Sequence, residues 1–204
     1  VIAVGISGGK DSLTLLYALA KLQQFYPIPF TVKAITVDVG FQNMNFTKVL
    51  KLCKELNVEY VIEHTEISKI VFDMRKESNP CSLCSKLRKG SLNEKIKEMG
   101  CNKVAYAHHM DDMVDTMMLS LIYEGRFHCF SPVTQLDDAG ITLIRPMIYL
   151  REYQSESFVK SMNLPVVKTT CPMDKHTKRE DMKQLVLAID RNHPGAINRM
   201  FTAI

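Results

Sequence analysis

An apolar run, Val1 to Ile6, breaks into Ser7-Gly8-Gly9-Lys10-Asp11-Ser12, and leucines then recur at positions 15, 16, 19 and 22. The run has the composition of a buried strand, and the leucines mark one face of a helix. The small residues between them let the backbone turn sharply, so that successive amides point at one spot where the helix begins. A strand, a tight turn and a helix in this order open a βαβ unit, which requires a sheet with helices packed against it.

The same alternation continues along the chain. Residues 31–40 and 58–64 are rich in Val, Ile and Tyr and predict strands, and Val49, Leu52, Cys53 and Leu56 predict the helix between them. A further helix is expected over about 84–99, ending at Gly100. "KVAYAHH" then predicts a strand, and Val114, Met117, Met118 and Leu121 the apolar face of the next helix. Strands separated by helical stretches of about 10–15 residues imply an α/β fold with a parallel sheet and helices on both faces. Ligands of such sheets bind beyond the carboxyl ends of the strands, which here selects Ser7–Ser12, Asp38–Val39 and His108–Asp112.

At 204 residues the chain is expected to be a single domain, 1–204, with an inserted Cys-rich segment at about 75–100 and a C-terminal helical extension at about 172–204. It is 46% hydrophobic, yet no apolar run approaches the ~20 residues of a membrane span. With no basic leader and too few cysteines for a disulfide framework, a cytoplasmic location with six reduced cysteines is expected. The formal net charge of +4 is compatible with an acidic polymer as partner. Eight Lys or Arg against three Glu lie between Arg75 and Lys103, and five against three acids between Lys168 and Lys183. Such stretches are either a solvated helical face or a landing site for a nucleic-acid backbone.

The first turn has the chemistry of an anion seat, although it lacks the four-residue spacer and the Ser or Thr after lysine of a Walker loop. Lys10 is placed to neutralise developing negative charge, and Ser7 and Ser12 to hydrogen-bond phosphate oxygens. Asp11 either caps the helix or acts through a divalent cation. Cys81 and Cys84, three apart, suit a redox pair, a zinc half-site or iron–sulfur ligation. The pair does not follow the first strand as a thioredoxin-like motif would, and no second CxxC completes a zinc site. His108 and His109 are expected to end a strand, one of them packed, with Asp111 and Asp112 opening the next helix.

"SGGKDS" resembles the PP-loop of ATP pyrophosphatases. Together with "PCSLCSKLRKG", "AYAHHMDDMVDTMML" and "IRPM", it makes nearly the whole chain resemble the TtcA/TtuA group of tRNA thiolases. The resemblance implies a parallel-sheet adenine nucleotide α-hydrolase-like fold, ATP as substrate and Mg²⁺ as cofactor. It implies ATP contacts from Ser7, Gly8, Gly9, Lys10, Asp11, Ser12, Asp38, Arg88 and His108, and catalytic roles for Lys10, Asp11, Asp111 and Asp112. It further implies that Cys81, Cys84 and one later cysteine hold a [4Fe–4S] cluster with one iron open to carry sulfur. Cys171 matches that third position because its stretch follows the last sheet segment; Cys101 and Cys129 are the competitors. The partners implied are tRNA, ATP and a sulfur donor, with no membrane and with a homodimer left open. The reaction implied is adenylation of a pyrimidine carbonyl oxygen followed by its replacement with sulfur. Three departures bear on which nucleotide is modified: Cys171 stands without a second CxxC, Ala107 replaces a glycine before the paired histidines, and zinc-finger cysteines are missing. The alternatives are a PP-loop enzyme acting on a different acceptor, and a non-enzymatic nucleotide- and metal-binding regulatory module.

Overall fold

Among the described residues, six strands form one sheet in the spatial order β3-β2-β1-β4-β6-β5: β1 is Ile2–Gly5, β2 Val32–Asp38, β3 Glu59–His64, β4 Lys103–Ala105, β5 Val133–Leu136 and β6 Ile141–Ile144. The computed structural model describes residues 1–75, 79–136, 140–173 and 177–204. Lys76 and Lys175 of the two basic stretches lie outside the described residues. Neighbouring strands from β3 to β6 run parallel, as the βαβ rhythm demands, and β5 pairs antiparallel with β6 at the edge. That antiparallel edge was not foreseen from the sequence pattern.

Helices are α1 (Lys10–Leu22), α2 (Thr47–Glu55), α3 (Pro80–Glu98), α4 (Met110–Glu124), α5 (Glu152–Ser161), α6 (Lys178–Asn192) and α7 (Ala196–Ala203), with a π-helical stretch at Lys69–Arg75. Alternation along β1 divides the core. Val4 faces the cluster built by Leu13 and Leu16 of α1, Val49 and Leu52 of α2 and Val159 of α5, whereas Ala3 faces Leu92 and Ile96 of α3. Helices therefore cover both faces. A third cluster, Val114, Val186 and Ile197, joins α4, α6 and α7. Cys53 and Cys101 are buried core residues, and burial raises the Cys53 thiol to about 12. Among the described residues no helix is long and apolar enough to cross a membrane.

Two boundaries differ from expectation. The helix expected from about 84 begins at Pro80, because the Asn79 side chain accepts the amide of Ser82 and proline occupies the first turn. Both Cys81 and Cys84 are thereby placed in the first turns of α3. The strand expected through His109 ends at Ala105: Tyr106 keeps one bond to the Ile144 carbonyl, and the chain then leaves the sheet.

The order 3-2-1-4 makes β1 the strand from which the chain winds both ways. The crevice beyond the carboxyl ends of β1 and β4 is the topological switch point, where an open α/β sheet binds its ligand. The residues following β1 are the Ser7–Ser12 turn, and those following β4 are His108–Asp112.

Candidate active site

The turn after β1 is built around Gly8 and Gly9. Gly8 has φ +83°, and a Cβ there would stand 2.8 Å from the Cβ of Val167, so glycine is required by both conformation and space. Gly9 is the N-cap of α1 with no side chain to accept the first-turn amides, which leaves them for an anion. Ser7 and Ser12 brace the turn: Ser12 Oγ donates to the Gly9 carbonyl at 2.9 Å, and Ser7 Oγ accepts the Gly9 amide at 3.3 Å.

Asp11 presents an unusual carboxylate. Its Oδ2 accepts Lys10 Nζ at 3.0 Å, while its Oδ1 is buried without a hydrogen-bond partner among the described residues. A buried carboxylate oxygen left unpaired is costly unless something else takes its lone pairs. His109, buried as the N-cap of α4, stands between this atom and Asp112: its Nε2 is 3.9 Å from Asp11 Oδ1 and 3.5 Å from Asp112 Oδ2. Asp112 closes a capping box with His109, accepting the His109 amide at 3.0 Å.

A cavity of about 620 Å³ occupies the crevice. Ser7, Asp11, Ser12 and Asp112 line one part of it, Tyr106, His108, Phe130 and Arg145 another, and Ser85, Arg88 and Lys89 of α3 a third. Arg145 is held by the Ser131 carbonyl, by Thr134 Oγ1 and over the Phe130 ring, 4.6 Å from its centroid, and its Nε donates to His108 Nδ1 at 3.2 Å. Burial, supported by the positive charge of Arg145 and Arg179 against the pull of Asp112, lowers His108 to about 4. The ring is therefore neutral at physiological pH, and with Nδ1 accepting, it carries its proton on Nε2 as a donor.

The structure brings Ser7, Asp11, Ser12, Arg88, His108 and Asp112 to this one cavity. Gly8, Gly9, Lys10, Asp38 and Asp111 are not among its lining residues, nor are Cys81, Cys84 and Cys171. Lys10 Nζ is drawn behind Asp11 to Glu152 Oε1 at 2.8 Å. Asp111 accepts Arg151 Nε at 3.0 Å and the Glu152 amide at 2.7 Å, holding the start of α5. Asp38, at the end of β2, accepts the Gly40 amide and pairs with His64 at 3.1 Å, lining a second cavity of about 560 Å³ with Asn43, Phe46 and Ile62.

Cys84 lies four residues before Arg88 on α3, hence on the same helix face. Burial raises the Cys84 thiol, Arg88 opposes this, and the neighbouring Cys171 and Cys81 raise it further. Cys81 and Cys171 are thus each within electrostatic reach of Cys84, although Cys171 is 87 residues beyond it. The segment before Cys171 is fixed from both ends: the Val167 amide donates to the Gly8 carbonyl, and Thr170 Oγ1 to the Gln42 carbonyl. Cys129 instead donates to the Met113 carbonyl, and Cys101 is buried at 6% exposure. Among the described residues no three His, Cys, Asp or Glu side chains converge on a single metal ion. A cubane cluster distributes its thiolates over separate irons, so it asks for thiols around a void rather than at one point.

Glu152, Lys183 and the Tyr106–Phe130 wall were missed by sequence reasoning. Glu152 sits 142 residues from Lys10, and only the Arg-Glu pair opening a helix hinted at it.

Known proteins share this fold. Residues 1–188 match the family model described as a PP-loop domain. The tRNA-cytidine(32) 2-sulfurtransferase of Citrifermentans bemidjiense is 32% identical over all of this chain and 81% of its own length, and that of Syntrophotalea carbinolica is 35% identical, covering 80%. Among solved structures, the U34-tRNA thiolase NcsA from Methanococcus maripaludis with its [4Fe–4S] cluster superposes with a TM-score of 0.79 at 25% identity, covering 99% of this chain and 69% of that one. The phosphoadenylyl-sulfate reductase of Candida auris, at 15% identity and a TM-score of 0.53, shares the fold over 81% of this chain and 74% of its own. This chain therefore belongs to the PP-loop domain family, within the TtcA/TtuA group.

Proposed function

We propose that this chain is a cytoplasmic, ATP-dependent tRNA sulfurtransferase. The observation that carries the reading is one cavity reaching from the Ser7–Ser12 turn to Arg88 on the helix of Cys81 and Cys84, with Cys171 within electrostatic reach of Cys84. The names of the relatives support the acceptor class.

The phosphates of ATP occupy the uncapped first turn of α1, where main-chain amides and the helix dipole favour negative charge. A pyrimidine carbonyl oxygen of tRNA attacks the α-phosphorus, the bond to the bridging oxygen breaks, and pyrophosphate leaves. Lys10, at the start of α1, neutralises that developing charge once its ammonium leaves Glu152. A sulfur nucleophile then adds to the activated carbon and AMP departs with the former carbonyl oxygen. His108, neutral and donating through Nε2, orients a polar group in the cavity without exchanging its proton at physiological pH.

Asp11 and Asp112 suit a Mg²⁺ ion: Asp11 Oδ1 is buried and unpartnered, and Mg²⁺ is commonly held by one or two carboxylates completed by substrate phosphate. Such an ion would supply charge neutralisation at the phosphates. Cys81, Cys84 and Cys171 suit a [4Fe–4S] cluster by donor chemistry, and Cys81 and Cys171 both act electrostatically on Cys84. When bound, such a cluster supplies an iron with a free coordination position for sulfur. Asp111 acts by holding α5, and Asp38 through the nucleoside side of ATP. In this reading residues 1–204 act as one domain, into which segment 75–100 brings the cysteine helix and 172–204 the closing helices.

The test is pyrophosphate release with ATP, Mg²⁺ and unmodified tRNA. Release should depend on tRNA and fall at least about a hundredfold in Lys10→Ala, as expected when a charge-stabilising group is removed. Release that is indifferent to tRNA would overturn the acceptor assignment.

A further inference from the structure

We propose that Glu152 is the positioning residue for the PP-loop lysine, and that Lys183 is its second partner, which lets Lys10 leave Glu152 for the phosphates. The proposal rests on the reading that Lys10 serves ATP.

Glu152 is the first residue of α5, and its main chain is fixed: Asp111 Oδ2 accepts its amide at 2.7 Å, and Arg151 Nε donates to the same carboxylate. Its side chain is 19% exposed and lies between two ammonium groups. Lys10 Nζ reaches Oε1 at 2.8 Å from the start of α1; Lys183 Nζ reaches Oε1 at 2.8 Å and Oε2 at 2.7 Å from α6. Burial alone would raise the carboxyl, but the hydrogen bonds from Lys10 and Lys183 outweigh it and bring Glu152 to about 2, so it is ionised throughout the physiological range.

The asymmetry of this triad is its point. With Lys10 as sole partner, moving that ammonium to a polyphosphate would orphan a largely buried carboxylate, a strongly unfavourable change. Lys183 contacts both oxygens, so Glu152 keeps a full partner when Lys10 departs. The two lysines also repel one another across a single carboxylate, which favours departure of the one with another anion to visit. Lys183 belongs to the helix that follows the Cys171 segment, so the device links the sulfur-side structure to the ATP side.

The test uses the full chain without iron or tRNA. ATP affinity is measured at equilibrium, and acylation of Lys10 by an amine-reactive ester is followed by peptide mass spectrometry. Lys183→Met should leave Lys10 locked to Glu152, weakening ATP by about tenfold and slowing Lys10 acylation by about threefold. Lys183→Arg, which keeps two donors, should lose less than Lys183→Met. Glu152→Gln should speed Lys10 acylation by about fivefold. The double variant, with Lys10 held by Asp11 alone, should recover most of the ATP affinity lost in Lys183→Met. A structural role for Lys183 predicts the opposite, a double variant weaker than either single one. Affinity unchanged in Lys183→Met, or Lys10 acylation unchanged in Glu152→Gln, would overturn the proposal. Should the parent chain bind no ATP, the function reading fails, and the order of Lys10 acylation rates still decides for or against this triad.

Discussion

The amide of Val167 donates to the carbonyl oxygen of Gly8 at 2.9 Å, and the space a Gly8 side chain would need is filled by the Val167 Cβ. The turn that seats phosphate and the segment that ends at Cys171 are therefore built against one another.

Gly8→Ala tests that contact. A Cβ 2.8 Å from Val167, at φ +83°, forces both a clash and a left-handed alanine worth roughly 1–2 kcal/mol. The variant should melt several degrees lower and bind ATP at least about tenfold more weakly. Adding Val167→Ala should restore part of the affinity, because it removes the clash and leaves the backbone strain. Independent losses in a double-mutant cycle would show that the two sites are not coupled.

The cysteine assignment separates by iron content. Cys81→Ser, Cys84→Ser and Cys171→Ser, reconstituted anaerobically, should each lose most bound iron and visible absorption while ATP affinity stays within about threefold, since none of the three thiols lines the cavity. Cys53→Ser and Cys129→Ser should keep their iron. Full iron in Cys171→Ser would place the third ligand elsewhere.

Asp115 gives a pH signature. It is 5% exposed on α4, and burial raises it to about 7, with Arg179 opposing and Asp112 and Asp111 reinforcing the shift. A carboxyl whose folded pKa is raised binds a proton between about 3.8 and 7 that the unfolded chain releases, so its contribution to stability is present at low pH and is lost as pH rises through 7. Asp115→Asn removes that dependence. The variant should equal the parent at pH 4 and exceed it by about 1–2 kcal/mol at pH 8, allowing for solvent screening. Denaturant titrations at both pH values check this, and an Asn variant less stable at pH 8 would contradict it.

Asp111→Ala removes the acceptor for Arg151 and for the Glu152 amide. Loss of one member of a largely buried pair should cost about 2–4 kcal/mol and weaken ATP binding through displaced Glu152. Unchanged stability would show that α5 is held by its apolar contacts alone.

Much of the fold was legible because it rests on local chemistry. The Ser-Gly-Gly turn, the leucine spacing of α1 and the apolar runs of β1 to β3 each point to one structure, and the switch point follows from their alternation. The start of α3 was legible too, in Asn79-Pro80, a cap and first-turn pair that periodicity overlooks because the first turns carry no apolar stripe. The β5–β6 edge was hidden by four-residue strands with exposed Val133. At the site, the position of Asp11, Asp112 and His108 followed from strand ends. The Glu152–Lys10 pair and the electrostatic approach of Cys171 to Cys84 join residues 142 and 87 positions apart, which no local pattern encodes.

The most direct measurement is nucleoside mass spectrometry of unmodified tRNA incubated anaerobically with iron-loaded protein, ATP, Mg²⁺ and sulfide. The account predicts a thiolated pyrimidine formed in step with pyrophosphate and AMP, and none with Cys171→Ser. Pyrophosphate released with every tRNA nucleoside still carrying oxygen would contradict it.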